Sequence, residues 1–184
     1  HLIRQIGIDN RSVTTLAGSA DNFGDTNGTG TSALFKNPKG ITTDGTNLYV
    51  ADTENRLIRQ IVISTGVVTT LAGAGPGDDD GTGTSASFRN PYDITTDGTN
   101  LYVADTLNNK IRKIVISTGV VTTFAGPAAG TTTSGSTNAT GTSARFYEPL
   151  GITTDGTNLY VADTKNHLIR QIVISSRAVT TLAG

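Results

Sequence analysis

A thirteen-residue stretch at 41–53 recurs letter for letter at 94–106 and at 152–164. An identical match of this length does not arise from composition, so the chain is an array of one supersecondary unit. The Leu/Phe-Ala-Gly ends of the units fall at 16–18, 71–73, 124–126 and 182–184, with spacings of 55, 53 and 58 residues. The chain therefore contains half a unit followed by three whole units.

Each whole unit reads as four short strands, A to D, joined by tight turns. In the first whole unit strand A covers residues 40–43, strand B 48–51, strand C 57–63 and strand D 67–72. The Asp44-Gly45 pair after strand A is a strong hairpin signal, so neighbouring strands are predicted to pair antiparallel. Strands C and D are apolar on both faces, which indicates sheets that are covered on both sides.

Such sheets predict an all-β fold, a β-propeller of four-stranded antiparallel blades with about three and a half blades in this chain. The single repeat domain, 1–184, divides into a half blade at 1–18 (strands C and D) and whole blades at 38–73, 91–126 and 149–184, with long D–A connections between them. A parallel β-helix is the rival fold, but it lacks Asp-Gly hairpins between antiparallel neighbours. Each connection ends in Gly-Thr-Ser-Ala-x-Phe, and we expect the phenylalanine to pin it onto the blade.

Composition narrows the classes of function. The net charge is −1, whereas nucleic-acid binders usually carry a basic excess, so nucleic acid is not an expected partner. The chain has no cysteine, which excludes disulfides and thiolate metal sites. No run approaches the roughly 20 apolar residues of a membrane helix, so no membrane span is predicted.

The repeated motifs resemble a known family. They are Pro-x-Gly-Ile, Asp-Gly, Leu-Tyr-Val-Ala-Asp, Asn-x-x-Ile-Arg and Gly-Val-Val-Thr-Thr-Leu-Ala-Gly, and together they are similar to the NHL repeat of β-propellers over nearly the whole chain. The histidine of the Asn-His-Leu triplet at 166–168 is replaced by Arg56 in one unit and by Asn109 in another. The resemblance implies a closed ring of about six blades, within the usual range for propellers.

Three and a half blades would leave apolar sheet faces uncovered at both ends of the stack. The half blade lacks strands A and B, and the last unit already has its own C and D strands. We therefore expect a homo-oligomer that completes the ring, or a piece of a longer repeat array. Both alternatives predict that the monomer is not the stable species.

Few residues point to catalysis. The two histidines, His1 and His167, occupy the same position of different units, and they are too few for a three-histidine zinc site. The NHL-like lyases implied by the resemblance use histidine-bound zinc, so that role is rejected and no cofactor is expected. His167 is expected to be a solvent-exposed turn residue.

Carboxylates recur in two places. Asp52, Asp105 and Asp163 follow Val-Ala in each unit, and we expect each to accept backbone N–H bonds within its own turn rather than to share a cation. The acidic run at 78–80 is expected to be a solvated loop, with weak calcium binding as the alternative. The strand C arginines, such as Arg59, are expected to brace a carboxylate between blades rather than to bind RNA.

The B–C turns and the D–A connections are predicted to emerge on one face of the disc, which we call the B–C/D–A face. The repeats differ from one another mainly on this face. Such variation is typical of a recognition surface on a fixed scaffold, and also of drift in unconstrained loops. The candidate partner-binding residues are Glu54, Arg56, Asp78, Asp79, Asp80, Leu107, Asn109, Lys165 and His167.

The predicted function is a non-enzymatic binding or scaffold module whose ligand is a protein, peptide or glycan. The alternative is part of a lyase-like or hydrolase-like propeller enzyme whose catalytic residues lie outside this chain. The near-identical units favour an extracellular or bacterial cell-surface location.

Overall fold

The computed structural model describes all 184 residues, His1–Gly184, and its regular structure is almost entirely β-strand. The strands are β1 Leu2–Ile6, β2 Val13–Gly18, β3 Gly28–Thr29, β4 Pro38–Thr43, β5 Asn47–Asp52, β6 Leu57–Val62, β7 Val67–Ala72, β8 Gly81–Thr82, β9 Pro91–Thr96, β10 Asn100–Asp105, β11 Lys110–Val115, β12 Val120–Ala125, β13 Pro149–Thr154, β14 Asn158–Asp163, β15 Leu168–Val173 and β16 Val179–Ala183. The 3-10 helices are Gly30–Ser32, Thr53–Asn55, Gly83–Ser85, Thr106–Asn108, Gly141–Ser143 and Thr164–Asn166. None of the helices is long and apolar enough to cross a membrane.

The strands form four antiparallel sheets, which we number as blades. Blade 1 is β1-β2, blade 2 is β3-β7-β6-β5-β4, blade 3 is β8-β12-β11-β10-β9, and blade 4 is β13-β14-β15-β16. The A strands β4, β9 and β13 contact one another in sequence order, so they form the inner wall of the stack. This arrangement confirms the predicted all-β propeller of antiparallel blades.

Blades 2 and 3 each have a fifth strand that the sequence pattern did not predict. Residues 28–29 of the connection before blade 2 pair antiparallel with the outer strand β7, with Thr29 opposite Val67. β8 pairs with β12 in the same way in blade 3, and blade 4 has a single bridge between Thr140 and Ala178. A strand of two residues that contains glycine shows no hydrophobic alternation, which is why the pattern misses it.

The apolar core lies between the blades rather than within them. Between blades 2 and 3, Tyr49 and Ile58 pack with Phe88, Leu101 and Val121. Similar clusters join blade 1 to blade 2 and blade 3 to blade 4. The sheets are therefore covered on both sides where they have a neighbour, as predicted.

Three phenylalanines fix the long connections to the blades. Phe35, Phe88 and Phe146 are all fully buried, and each ends a Gly-Thr-Ser-Ala-x-Phe segment. The predicted pinning of the connections is thus confirmed.

The outer blades expose large apolar side chains, namely Ile6 (65%) and Val13 (52%) in blade 1, and Ile169 (42%) and Leu182 (56%) in blade 4.

Candidate binding face

A buried ion pair recurs at the centre of each whole blade. In blade 2, Arg59 Nη1 lies 3.0 Å from Asp52 Oδ2, and neither side chain is exposed. Asp52 Oδ1 accepts a hydrogen bond from the Lys36 N–H at 2.7 Å, and its Oδ2 accepts one from Asn55 Nδ2 at 2.8 Å. The Arg59 guanidinium also lies 5.2 Å from the centre of the Phe35 ring. One aspartate therefore ties together a turn, a strand and the preceding connection.

The same contacts occur in the other whole blades, with Arg112–Asp105 at 3.1 Å and Arg170–Asp163 at 2.8 Å. Two expectations were wrong in detail. The aspartates accept a backbone N–H from the preceding connection rather than from their own turn, and the arginines brace a carboxylate of their own blade rather than of a neighbouring one. The preceding connection folds back far enough to reach both, which the sequence spacing does not reveal.

Burial dominates the electrostatics of the pairs in blades 2 and 3. Burial raises the pKa of Asp52 and of Asp105 above the ordinary range of an aspartate, and the Arg112 charge and the surrounding hydrogen bonds act against that rise. A buried charge is stable only while its partner remains in place. These carboxylates are therefore occupied within the fold and do not face a ligand.

The acidic run 78–80 is likewise engaged inside the chain. Asp78 forms an ion pair with the fully buried Lys110 and accepts a hydrogen bond from the Gly130 N–H of the next connection. Asp79 Oδ2 accepts a hydrogen bond from the Ser87 hydroxyl at 3.0 Å. The expected solvated loop is therefore wrong for Asp78, and the run fastens blade 3 to the connections on either side of it.

Asp80 belongs to a repeated position that sequence reasoning missed. Asn27 and Asn138 stand at the same place before the other Gly-Thr-Ser segments, and all three side chains accept a hydrogen bond from an Nη2 of the strand C arginine. In blade 3 the acceptor is a carboxylate, 2.8 Å from Arg112 Nη2. The signal in the sequence was an Asn or Asp three residues before Gly-Thr-Ser, at 27, 80 and 138.

A second missed set links neighbouring blades. The Thr53 hydroxyl donates a hydrogen bond at 2.8 Å to the carbonyl of Pro91, the first residue of β9. Thr106 makes the same bond to Pro149 of β13. The last residue of the thirteen-residue repeat thus makes a buried contact between blades at Thr53 and Thr106.

The residue just before strand C sets the contact to the next blade. His1 Nδ1 accepts a hydrogen bond from the Asn37 N–H at 2.9 Å, and Asn109 Oδ1 accepts one from the Glu148 N–H at 2.8 Å. Asn109 is consequently buried and is not available to a partner. Arg56, at the same position between blades 2 and 3, is exposed and carries only donors.

The structure brings three of the candidate residues together in one groove of about 550 Å³ between blades 2 and 3. Glu54 and Arg56 belong to the B–C turn of blade 2, and Leu107 belongs to that of blade 3. The other lining residues are Lys36, Thr53, Pro76, Arg89 and Asn90. Both B–C turns and D–A connections line this groove, so the two kinds of segment emerge on one face.

Lys165 and His167 are exposed on the B–C turn of blade 4, away from this groove. Glu54, Arg56, Leu107, Lys165 and His167 therefore face solvent, as do Asp79 and Asp80, which are also hydrogen-bonded within the chain. No group of three or more His, Cys, Asp or Glu side chains is placed to hold a metal ion.

Known proteins resemble the chain both in sequence and in fold. No family model matches it. NHL repeat-containing protein 2 of Homo sapiens is 34% identical over 166 residues, which cover 82% of this chain and 22% of that protein. SUPPRESSOR OF QUENCHING 1, a chloroplastic protein of Arabidopsis thaliana, is 35% identical over 152 residues, covering 75% of this chain and 14% of that protein. The chain thus spans about a fifth or less of the length of these relatives.

Solved structures show the same fold at lower identity. A Bacteroides thetaiotaomicron protein of unknown function has a TM-score of 0.74 at 22% identity, covering 97% of this chain and 42% of that one. A nidogen/laminin complex has a TM-score of 0.65 at 18% identity, covering 100% of this chain and 56% of that one. Virginiamycin B lyase of Staphylococcus aureus has a TM-score of 0.60 at 19% identity, covering 99% and 48%. The repeated motifs, the stacked blades and the sequence relatives agree, and the chain belongs to the NHL-repeat family of β-propeller proteins.

Proposed function

We propose that this chain is a non-enzymatic propeller module that binds a protein, peptide or glycan through its B–C/D–A face. The observation that carries the proposal is the exposure of five residues at positions where the near-identical repeats differ. Glu54, Arg56 and Leu107 meet in one groove, while Lys165 and His167 are exposed on the neighbouring blade. A nidogen/laminin complex among the solved structures of this fold supports a protein partner.

The repeated carboxylates and arginines support a scaffold rather than an active site. Arg59 and Asp52 are completely buried against each other, and their counterparts repeat this pair in the other whole blades. A cluster that occurs in every blade serves a need of every blade. In an enzyme, by contrast, a reactive carboxylate would face a cleft.

We further propose that additional blades of the same kind cover the two end faces, supplied by a second copy or by a longer array. In blade 1, Ile6 and Val13 are exposed by 65% and 52%. Their counterparts in blade 2, Ile61 and Val68, are only 0% and 1% exposed because blade 1 packs on them. A blade face with this composition is therefore suited to receive another blade.

The other end face of the stack lies on blade 4. Ile169 is 42% exposed there, whereas its counterparts Ile58 and Ile111 are fully buried beneath the next blade. The packing of Ile58 and Ile111 against the next blade supports a blade of the same kind as the cover of this face. The near-identical tandem units also support an extracellular or bacterial cell-surface setting, which fractionation of the source cells would test.

Arrays of peptides, glycans and RNA presented to the folded chain test the binding proposal. Charge reversal by Arg56→Glu or Lys165→Glu should weaken binding of the ligand found while the circular dichroism spectrum stays unchanged. Asp9→Lys reverses a charge on an exposed C–D turn at the other face and is the matched control. A ligand that responds to Asp9→Lys alone would place the contact on the wrong face.

Light scattering tests the covering of the end faces. The chain should self-associate, and Ile169→Lys should shift it toward the monomer. A monodisperse, cooperatively folded monomer at all concentrations would contradict this part of the proposal. Metal analysis separates the enzyme alternative, because a stoichiometric transition metal would contradict the non-enzymatic assignment.

A further inference from the structure

The contacts between neighbouring blades differ in the hydrogen bond made by the residue before strand C. The residue before strand C supplies a side-chain acceptor to a backbone N–H in two of them, from His1 to Asn37 and from Asn109 to Glu148. Between blades 2 and 3 the corresponding residue is Arg56, and the Asn90 N–H has no hydrogen-bond partner within the chain. All three donors sit in left-handed backbone, with φ of 51°, 69° and 48° at 37, 90 and 148, so the local geometry is the same and only the acceptor is lacking.

Positive charge converges where the acceptor is lacking. Lys36, Arg56 and Arg89 all line the groove beside Asn90, and Glu54 is the one acidic side chain among the lining residues. Glu54 Oε2 lies 3.7 Å from Lys36 Nζ, so the one acidic side chain pairs with the lysine. The guanidinium groups of Arg56 and Arg89 make no ion pair or hydrogen bond within the chain. The groove therefore has a net charge of about +2 in a chain whose net charge is −1.

The neighbouring contacts between blades are covered, and this one is open. The side chain of Asn109 donates a hydrogen bond to the Thr132 carbonyl, so the connection before blade 4 lies over that site. The Phe23 ring lies 5.5 Å from the His1 ring and occupies the corresponding place before blade 2. The connection at 74–90 is the shortest of the three, as the 53-residue spacing shows, and it leaves a groove of about 550 Å³.

We propose that this groove is an oxyanion site, in which a carboxylate or phosphate oxygen accepts from the Asn90 N–H and pairs with the Arg56 guanidinium. A guanidinium and a backbone N–H together bind such groups through charge-assisted hydrogen bonds. Arg89 and Lys36 add positive charge at the rim. The inference deepens the proposed binding function, because it rests on this face carrying the partner and specifies the chemistry that the partner presents.

The test follows the Asn90 amide by ¹⁵N NMR while inorganic phosphate is added at constant ionic strength. A second titration compares acetyl-diglycine, which has a free carboxylate, with the same peptide amidated at its C-terminus. The Asn90 signal should move saturably with phosphate, with the free carboxylate or with both, and the Asn37 and Glu148 amides should not. The arm that saturates at the lower concentration identifies the group that the site prefers.

Arg56→Asn is the decisive variant, since it places at this position the acceptor that Asn109 provides in the next blade. It should weaken anion binding about tenfold, the loss expected for one charge-assisted hydrogen bond, and should slow hydrogen exchange of the Asn90 amide. Arg11→Asn is the matched control, because Arg11 is also an exposed arginine in left-handed backbone (φ 56°), on a C–D turn. Its effect should be less than about twofold.

An Asn90 amide that responds to neither probe would overturn the proposal, as would equal weakening by Arg11→Asn and Arg56→Asn. These titrations need no macromolecular partner. A failed partner screen with a responsive Asn90 would therefore count against the proposed function alone, and an unresponsive Asn90 with a positive screen would count against the oxyanion site alone.

Discussion

Arg112 and Asp105 form an ion pair in which neither side chain has any exposed surface, with Nη1 3.1 Å from Oδ2. The pair is held by donors and acceptors from three segments, including the Ser87 carbonyl and the Arg89 N–H. Removing one member leaves the other buried without its counter-charge. We expect Arg112→Met to lower the free energy of unfolding by ~3–5 kcal/mol, measured by urea denaturation.

The half blade offers a control at the same repeat position. Arg4 is exposed, and its one side-chain hydrogen bond is from Nε to the Thr14 carbonyl. Arg4→Met should change the free energy of unfolding by less than ~0.5 kcal/mol. Equal losses from Arg4→Met and Arg112→Met would mean that strand propensity, and not the buried pair, explains the repeated arginine.

The phenylalanine that ends each connection is expected to hold that connection in place. Phe88 is fully buried under the Arg112 guanidinium, at 5.2 Å. Phe88→Ala should cost ~3–5 kcal/mol of unfolding free energy and should speed hydrogen exchange along residues 74–90. Phe23→Ala provides the comparison, because Phe23 is 61% exposed. A Phe88→Ala variant with an unchanged exchange pattern would contradict the pinning role.

Gly40 is required by the close approach of β4 to β9. A Cβ at Gly40 would lie 2.6 Å from the Cα of Asp93, and backbone atoms cannot rotate away. Gly40→Ala should therefore destabilise the chain by ~1–3 kcal/mol, as overpacking does. At the corresponding Gly151 the nearest atom to such a Cβ is Ala162 Cβ at 3.6 Å. Gly151→Ala should be neutral or slightly stabilising in thermal denaturation, and the reverse order would refute this account.

Acid should weaken the A–B hairpins through their aspartates. Burial acts to raise the pKa of Asp44, but hydrogen bonds from the Asn47 N–H, the Tyr49 hydroxyl and the Thr46 N–H outweigh it and lower that pKa from 3.8 to about 2. The folded pKa lies below the unfolded value, so the carboxylate stabilises the fold above about pH 4. That contribution is lost as the pH falls through about 2.

Tyr49→Phe tests the hairpin contact, since the Tyr49 hydroxyl lies 2.7 Å from Asp44 Oδ2. The variant should lose less than ~1 kcal/mol at pH 7, the usual range for one hydrogen bond near solvent. Denaturant titrations at pH 7 and near pH 2 should show the difference from the unaltered chain shrinking in acid. A difference that is constant with pH would show that the hydroxyl acts through packing and not through the Asp44 charge.

The sequence predicted the features that depend on neighbours along the chain. The Asp44-Gly45 hairpin, the antiparallel strands and the stacking of apolar sheets follow from local spacing, and the structure confirms them. The bonds that join the preceding connection to Asp52 and to Arg59 are made by residues 16 to 33 positions apart. Contacts between such distant residues produce no periodic pattern in the amino-acid sequence.

The sequence predicted only part of the candidate site, because contacts between distant residues also decide which side chains remain exposed. Variation among repeats correctly drew attention to Glu54, Arg56 and Leu107, which line one groove. Asp78 and Asn109 also vary but have partners inside the chain, Asp78 with Lys110 and Asn109 with the Thr132 carbonyl of the next connection. A difference between repeats marks either a free surface or a local exchange of partners, and only the contacts distinguish the two.

The connections fold onto the blade that follows them, and this decides what is inherited as one piece when such an array grows. Residues 24–36 supply partners to Asn55, Arg59 and Asp52 of blade 2. A duplication whose breakpoints fall after Gly73 and Gly126 would copy the donor together with its acceptors. A duplication of strands A to D alone would leave the copied guanidinium without its carbonyls, so gain and loss of blades should proceed in segments that include a connection.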